Sequence, residues 1–153
     1  MKPKKEIRLY NVILPIWMLW IVPPLWLIIL PANFIIDFTV FYFTLKFMKL
    51  DNRFETGKKA ILRIWLFGFL SDGIGVLLML AMVFMGIQTV YIQSIGSFIC
   101  VTFCIAVSAV CIYLLDLKWG FHKTDLTLEQ KKKAALAMAV ITAPYLFYVP
   151  PIY

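Results

Sequence analysis

The sequence of 153 residues is poor in the side chains that enzymes use for catalysis. Its single histidine, His122, stands beside Lys123 in a polar stretch, and no neighbouring residue marks a catalytic pair. No Gly-x-Ser-x-Gly, His-Glu-x-x-His or glycine-rich phosphate-binding motif occurs. We therefore expect no enzyme activity, no catalytic residue and no cofactor.

Cysteine is also scarce, and its spacing does not suit redox or zinc chemistry. The three cysteines, Cys100, Cys104 and Cys111, include no Cys-x-x-Cys pair, so neither a redox dithiol nor a zinc knuckle is indicated. With nearby methionines they offer the soft ligands that Cu(I) prefers. Both residue types, however, are ordinary fillers of helix interfaces. We predict no metal site.

Charged residues make up only 15% of the chain, whereas hydrophobic residues make up 63% and the mean hydropathy is +0.89. A soluble domain is about half apolar, and one of this size leaves much of its surface exposed to water. The composition therefore predicts an all-α integral membrane protein with a single transmembrane domain over residues 1–153. The net charge of +7 comes from basic residues that flank apolar runs, so we expect the lipid bilayer, and no nucleic acid, as partner.

Basic residues are missing from one side of the predicted topology. All fifteen lie before residue 10, between residues 46 and 63, or between residues 118 and 133. Because cytoplasmic loops of membrane proteins are enriched in lysine and arginine, these three stretches are predicted to be cytoplasmic. The C-terminus is then outside, which requires five spans. We expect a multi-pass protein of the plasma (inner) membrane.

Apolar runs and prolines give the boundaries of the five predicted spans. The first covers residues 10–22 and is kinked at Pro15. Pro23 and Pro24 either end it or bend it sharply, so residues 25–30 form either an outer connection or the end of a longer first helix. The second starts with Pro31 in its first turn, where a missing N–H costs nothing. Thr127 and Gln130 predict a capping box before the last helix, which bends at Pro144. Spans two to five cover residues 31–50, 60–85, 95–117 and 134–149.

Two acids occupy the middle of the second and third predicted spans. Asp37 lies nine residues before Lys46 and Asp72 lies nine residues after Arg63, so each is ~13.5 Å from the cytoplasmic boundary. Because consecutive helices with a short connection pack side by side, we predict that the acids face one interior space. Two carboxylates close together in low dielectric are not both ionised, which predicts a shared proton or a bound cation. We expect hydrogen bonds to them from Asn33 and Ser71.

Small residues on the third and fourth spans predict a seam of close helix packing. Such residues let the backbones of membrane helices approach one another. Asp116 lies two residues before Lys118 at the cytoplasmic edge and is predicted to form an interfacial ion pair. The seam comprises Gly68, Gly75, Ser97, Cys104 and Ser108.

Two hypotheses for function follow. In the first, the chain is a small transporter or channel subunit that handles protons or cations at Asp37 and Asp72, because intramembrane acids are functional candidates by default. In the second, it is a non-catalytic accessory or structural subunit whose acids serve helix packing and partner recognition. The substrate is open at this stage, as is assembly into a homo-oligomer or a larger membrane complex.

Overall fold

The structure, a computed structural model, describes residues 23–87 and 94–148. These two ranges are helical and contain no strand, which confirms the predicted all-α class for the part of the chain described. A π-helical turn, Asp116–Gly120, continues the third helix, and a short 3-10 helix, Tyr145–Tyr148, follows the fourth. The four α-helices of the described ranges are α1 (Pro23–Phe47), α2 (Arg53–Phe84), α3 (Ile95–Leu115) and α4 (Leu128–Ile141).

Within residues 23–87 and 94–148, two helices are long and apolar enough to cross a membrane, namely Arg53–Phe84 and Ile95–Gly120, the latter being α3 with its π-helical turn. Along α2, small or polar residues such as Ser71 and Gly75 are buried. Large apolar residues lie on the outside of the same helix. Large side chains toward lipid and small ones toward neighbouring helices are typical of membrane helices. The exposed residues include Leu62, Leu66, Leu70 and Leu77.

The first described helix differs from the prediction at its start. α1 begins at Pro23 and runs without a break through Pro31 to Phe47. Residues 25–30 are therefore the first turns of this helix. Pro23 and Pro24 initiate it because the first turn needs no N–H donors. Pro31 removes one internal hydrogen bond, which membrane helices tolerate where neighbouring groups replace it.

α2 also begins earlier than predicted, inside the charged stretch that was expected to be a loop. Its 32 residues from Arg53 to Phe84 span ~48 Å, which exceeds the ~30 Å hydrocarbon core of a bilayer. The charged N-terminal turns therefore extend past the apolar region. There Lys59 forms an ion pair of 3.4 Å with Asp125 of the connection between α3 and α4.

The capping box predicted before α4 is confirmed. The Thr127 side chain accepts from the Gln130 N–H, and the Gln130 side chain accepts from the Thr127 N–H. α4 ends at Ile141, three residues before Pro144, because a proline disfavours helical geometry at the residue that precedes it. Its 14 residues reach only ~21 Å, so α4 alone is shorter than the predicted span. The predicted first span over residues 10–22, most of the turn between spans three and four, and the chain after Tyr148 lie outside the described residues.

The interior is divided into layers along the bundle. One apolar cluster lies nearest the charged loops, where the rings of Phe41 and Phe121 stack at 5.3 Å. A second, smaller cluster contains Val101, Ile105 and Ala143. On α3, Ser108 falls between Ile105 of the second cluster and Ile112 of the first. A polar layer therefore lies between the two apolar clusters at the level of Ser108, while Ala109 packs against both clusters.

Candidate functional site

The polar layer is formed by one acid from α1 and by an acid and two hydroxyl residues from α2 and α3. Asp37 is 8% exposed, Ser71 and Ser108 are fully buried, and Asp72 is half-buried. Neither acid forms an ion pair with any residue in the two described ranges. A carboxyl group inside an apolar bundle is costly unless it is paired, hydrated or protonated. The layer therefore needs a proton, a cation or water.

Ser108 is the main hydrogen-bonding residue of this layer. Its Oγ lies 2.8 Å from the main-chain oxygen of Ser71 and 3.3 Å from Oδ1 of Asp72. A serine hydroxyl has one proton to donate but also has acceptor lone pairs. With that proton on the Ser71 carbonyl, a protonated Asp72 would donate to the Ser108 oxygen, and all three groups would be satisfied. The geometry thus accommodates a proton on Asp72.

Asp37 approaches α2 one helical turn away from Asp72. Its Oδ2 lies 3.7 Å from the position that a Cβ on Gly68 would occupy. Gly68 precedes Asp72 by four residues, or ~6 Å along the helix toward the charged loops. Residues four apart on a helix share one face, so Asp37 contacts the face of α2 that carries Asp72. The structure therefore places Asp37 and Asp72 in the same interior region.

The hydrogen-bond partners expected for the acids differ from those in the structure. Asn33 is half-buried, and no hydrogen bond within the described ranges joins its side chain to either acid. The Ser71 hydroxyl donates to the Phe67 main-chain oxygen at 2.8 Å and not to a carboxyl group. Ser108, predicted only as a packing residue, is the hydroxyl next to Asp72.

Asp116 corrects a prediction and extends the site. It is fully buried, and neither of its carboxyl oxygens has a hydrogen-bond partner in the described part of the chain. The expected ion pair with Lys118 is wrong, since the Lys118 ammonium lies 4.6 Å from the centre of the Trp119 ring. π winding begins at Asp116, so the position of Lys118 relative to the Asp116 side chain cannot be read from α-helical spacing. Gly120 leaves room for the carboxyl group, because a Cβ there would lie 2.7 Å from Asp116 Oδ1.

The three acids are arranged as a series along the bundle. Asp116 follows Ser108 by eight residues, which places it ~12 Å nearer the charged loops. Asp37 is level with Gly68, ~6 Å from the level of Asp72, so it lies between the other two acids along the bundle. No group of three His, Cys, Asp or Glu residues in the described ranges is arranged to hold a metal ion. From the charged end inward, the order is Asp116, Asp37 and Asp72.

Four of the five predicted seam residues lie where α2 meets its neighbours, namely Gly68, Gly75, Cys104 and Ser108. A Cβ on Gly75 would lie 3.0 Å from the Phe147 ring and 3.3 Å from the Ser108 Cβ, so α2 and α3 pack closely here. Ser97 and Cys104 are buried on α3, and the Cys104 Sγ lies 3.8 Å from the Met82 Sδ of α2. Gly68 instead leaves space for Asp37 of α1.

The burial of Asp116 could have been predicted from the spacing of the buried residues of α3. Ser108, Ile112 and Asp116 follow one another at four-residue steps, the spacing of a single helix face. With that face buried, the site contains three carboxyl groups and the hydroxyl groups of Ser71 and Ser108, and no cationic group from the described residues. Such groups can exchange protons or hold small cations.

A comparison of this chain with protein-family models, with curated proteins and with solved structures finds no match.

Proposed function

We propose that the protein transfers protons, or a small cation in exchange for them, through the interior of its helical bundle. Asp37 and Asp72 are the exchanging groups. The observation that carries the proposal is the polar layer, in which both acids lie between apolar clusters without a cationic partner among the described residues. In a membrane, carboxyl groups without a counter-charge mark ion and proton pathways.

Asp116 provides the cytoplasmic end of this path. It is buried between the charged loops and the polar layer, and its carboxyl oxygens have no hydrogen-bond partner in the described ranges. In this path a proton is taken up at Asp116 and passes to Asp37 and then to Asp72. Acids placed one after another along the bundle suit such stepwise transfer better than they suit a compact site that encloses one cation. The π-helical turn that contains Asp116 is a local distortion of a kind frequent at functional sites.

The proposed topology has five spans in the plasma membrane, with the N-terminus and the charged loops in the cytoplasm and the C-terminus outside. A single cysteine at Asp51 or at Met85, with the three native cysteines replaced, tests the orientation because both positions are exposed at opposite ends of α2. In intact cells, a membrane-impermeant maleimide should label the cysteine at position 85 and not the one at position 51. Permeabilised cells should show labelling at both. Labelling only at position 51 would reverse the proposed orientation.

The transfer of protons is tested in vesicles that contain the purified protein and a pH-sensitive dye. Under an imposed membrane potential, the pH inside vesicles with the wild-type protein should change faster than the pH inside protein-free vesicles. The sign of the potential sets whether the lumen becomes more acidic or more alkaline. Asp37→Asn and Asp72→Asn should abolish this excess rate, because an amide does not exchange a proton at the carboxyl position. Asp125→Asn is the control, since its side chain is 94% exposed and lies in a loop.

The competing hypothesis, an accessory subunit, is supported by the hydrogen bond between Ser108 and Asp72, which fits a purely structural acid. It expects no excess proton rate from folded wild-type protein. It also expects Asp72→Asn to change stability alone. An unchanged rate in Asp72→Asn would contradict the proposed role of this acid even if the wild-type protein conducts.

A further inference from the structure

An open groove of about 620 Å³ runs between α1 and α4, away from the polar layer. Its walls are almost entirely apolar, and none of the described residues that line it is acidic. The side chains along it include exposed large groups such as Phe43, Phe47 and Ile141. The groove is lined by Thr39, Val40, Phe43, Thr44, Phe47, Met48, Lys133, Ala137 and Ile141.

One end of the groove is basic. Lys133 lines it directly, and the Lys46 ammonium lies 5.7 Å from the centre of the Phe43 ring that forms its wall. Neither lysine forms an ion pair with an acidic residue of the described ranges. Two ammonium groups thus stand at one end of an apolar channel with no protein counter-charge in those ranges.

The dimensions match one leaflet of a bilayer. On α1 the groove extends from Thr39 to Met48, which is ~13.5 Å, and on α4 from Lys133 to Ile141, which is ~12 Å. Half of a ~30 Å hydrocarbon core is ~15 Å. The basic end lies at the charged loops, where headgroups are expected, and the apolar end reaches the depth of the acyl chains.

We propose that this groove binds an anionic phospholipid of the leaflet on the charged-loop side. One acyl chain lies between α1 and α4, and the phosphate lies between Lys46 and Lys133. Basic pockets between membrane helices on this side favour anionic headgroups. The inference does not depend on proton transfer, because no residue of the groove belongs to the polar layer.

Native mass spectrometry of the detergent-purified full chain tests the proposal with phosphatidylglycerol and phosphatidylcholine of identical acyl chains. The wild-type protein should bind phosphatidylglycerol more tightly. Lys46→Gln and Lys133→Gln should each weaken its binding about five-fold, the effect of one lysine at an anionic surface. Lys132→Gln is the matched control, because Lys132 is exposed on α4 beside Lys133 but does not line the groove.

A second variant tests the apolar part of the groove. Ala137→Phe should fill the space between α1 and α4 and weaken binding of both lipids, with an unchanged helical circular dichroism signal as the check on folding. The proposal is overturned if the wild-type protein binds both lipids equally. It is also overturned if Lys132→Gln acts as strongly as Lys133→Gln, if Ala137→Phe binds like the wild type, or if the groove is occupied by a second copy of the chain in a lipid-free dimer.

Discussion

Replacing Asp116 by alanine is expected to stabilise the protein by about 1–3 kcal/mol, the cost of burying a polar group without a hydrogen bond. Asp116 is fully buried, and both of its carboxyl oxygens lack partners in the described part of the chain. It also lies at the C-terminal end of α3, where the helix dipole disfavours a negative charge. The free energy of unfolding in mixed micelles, measured by denaturant titration, should therefore rise.

The sign of this change is diagnostic, because most truncations of buried residues destabilise a protein. Ile112→Ala is the matched control, since Ile112 is buried on the same face one turn earlier. It should lose about 2–5 kcal/mol through the cavity that it creates. A loss of stability in Asp116→Ala of similar size would mean that the carboxyl group has a partner and that its proposed place in the proton path is wrong. If Asp116→Ala is more stable than the wild type but no longer transfers protons, Asp116 is a residue retained for function at a cost in stability.

Replacing Ser108 by leucine is expected to lower the free energy of unfolding by about 2–5 kcal/mol, through overpacking and through the loss of a buried hydrogen bond. Ser108 is fully buried, and its Cβ lies 3.3 Å from where a Cβ on Gly75 would be. A leucine side chain therefore has no space unless α2 and α3 separate. The substitution also removes the hydroxyl that donates to the Ser71 carbonyl. Unfolding in mixed micelles measures the loss.

Two further variants separate the causes. Ser108→Ala removes the hydroxyl without adding volume, so it should show only the hydrogen-bond part of the loss, about 1–3 kcal/mol. Ile99→Leu should be nearly silent, because Ile99 is 59% exposed on the outside of α3. Equal stability of Ser108→Leu and Ile99→Leu would contradict close packing between α2 and α3.

The sequence predicts the described helices well where long apolar runs dominate. The runs over residues 60–85 and 95–117 correspond to most of α2 and α3, because the length of an apolar run translates directly into helix length. The Thr127 capping box is also local and was predicted correctly. Prolines predict the helix boundaries less well, because a proline such as Pro23 or Pro31 can stand either at the start or in the interior of a membrane helix.

The candidate site could be predicted only in part. Asp37 and Asp72 stand out because an acid in an apolar run is rare, and their matched depth follows from helix arithmetic. Asp116 was misassigned because Lys118 stands two residues away, and a change to π winding cannot be read from residue spacing. The Ser108 contact was missed because it joins two helices, and their rotation about their axes depends on packing.

The outward position of the leucines on α2 also bears on the heat capacity of unfolding. Leu62, Leu66, Leu70 and Leu77 are exposed in the folded bundle, so under the proposed membrane location separating the helices within lipid transfers little apolar surface into water. The large positive heat-capacity change of soluble proteins arises from such transfer. Helix separation here should therefore show a small heat-capacity change. Its free energy should vary almost linearly with temperature, without the cold-denaturation branch that a soluble domain of this size has.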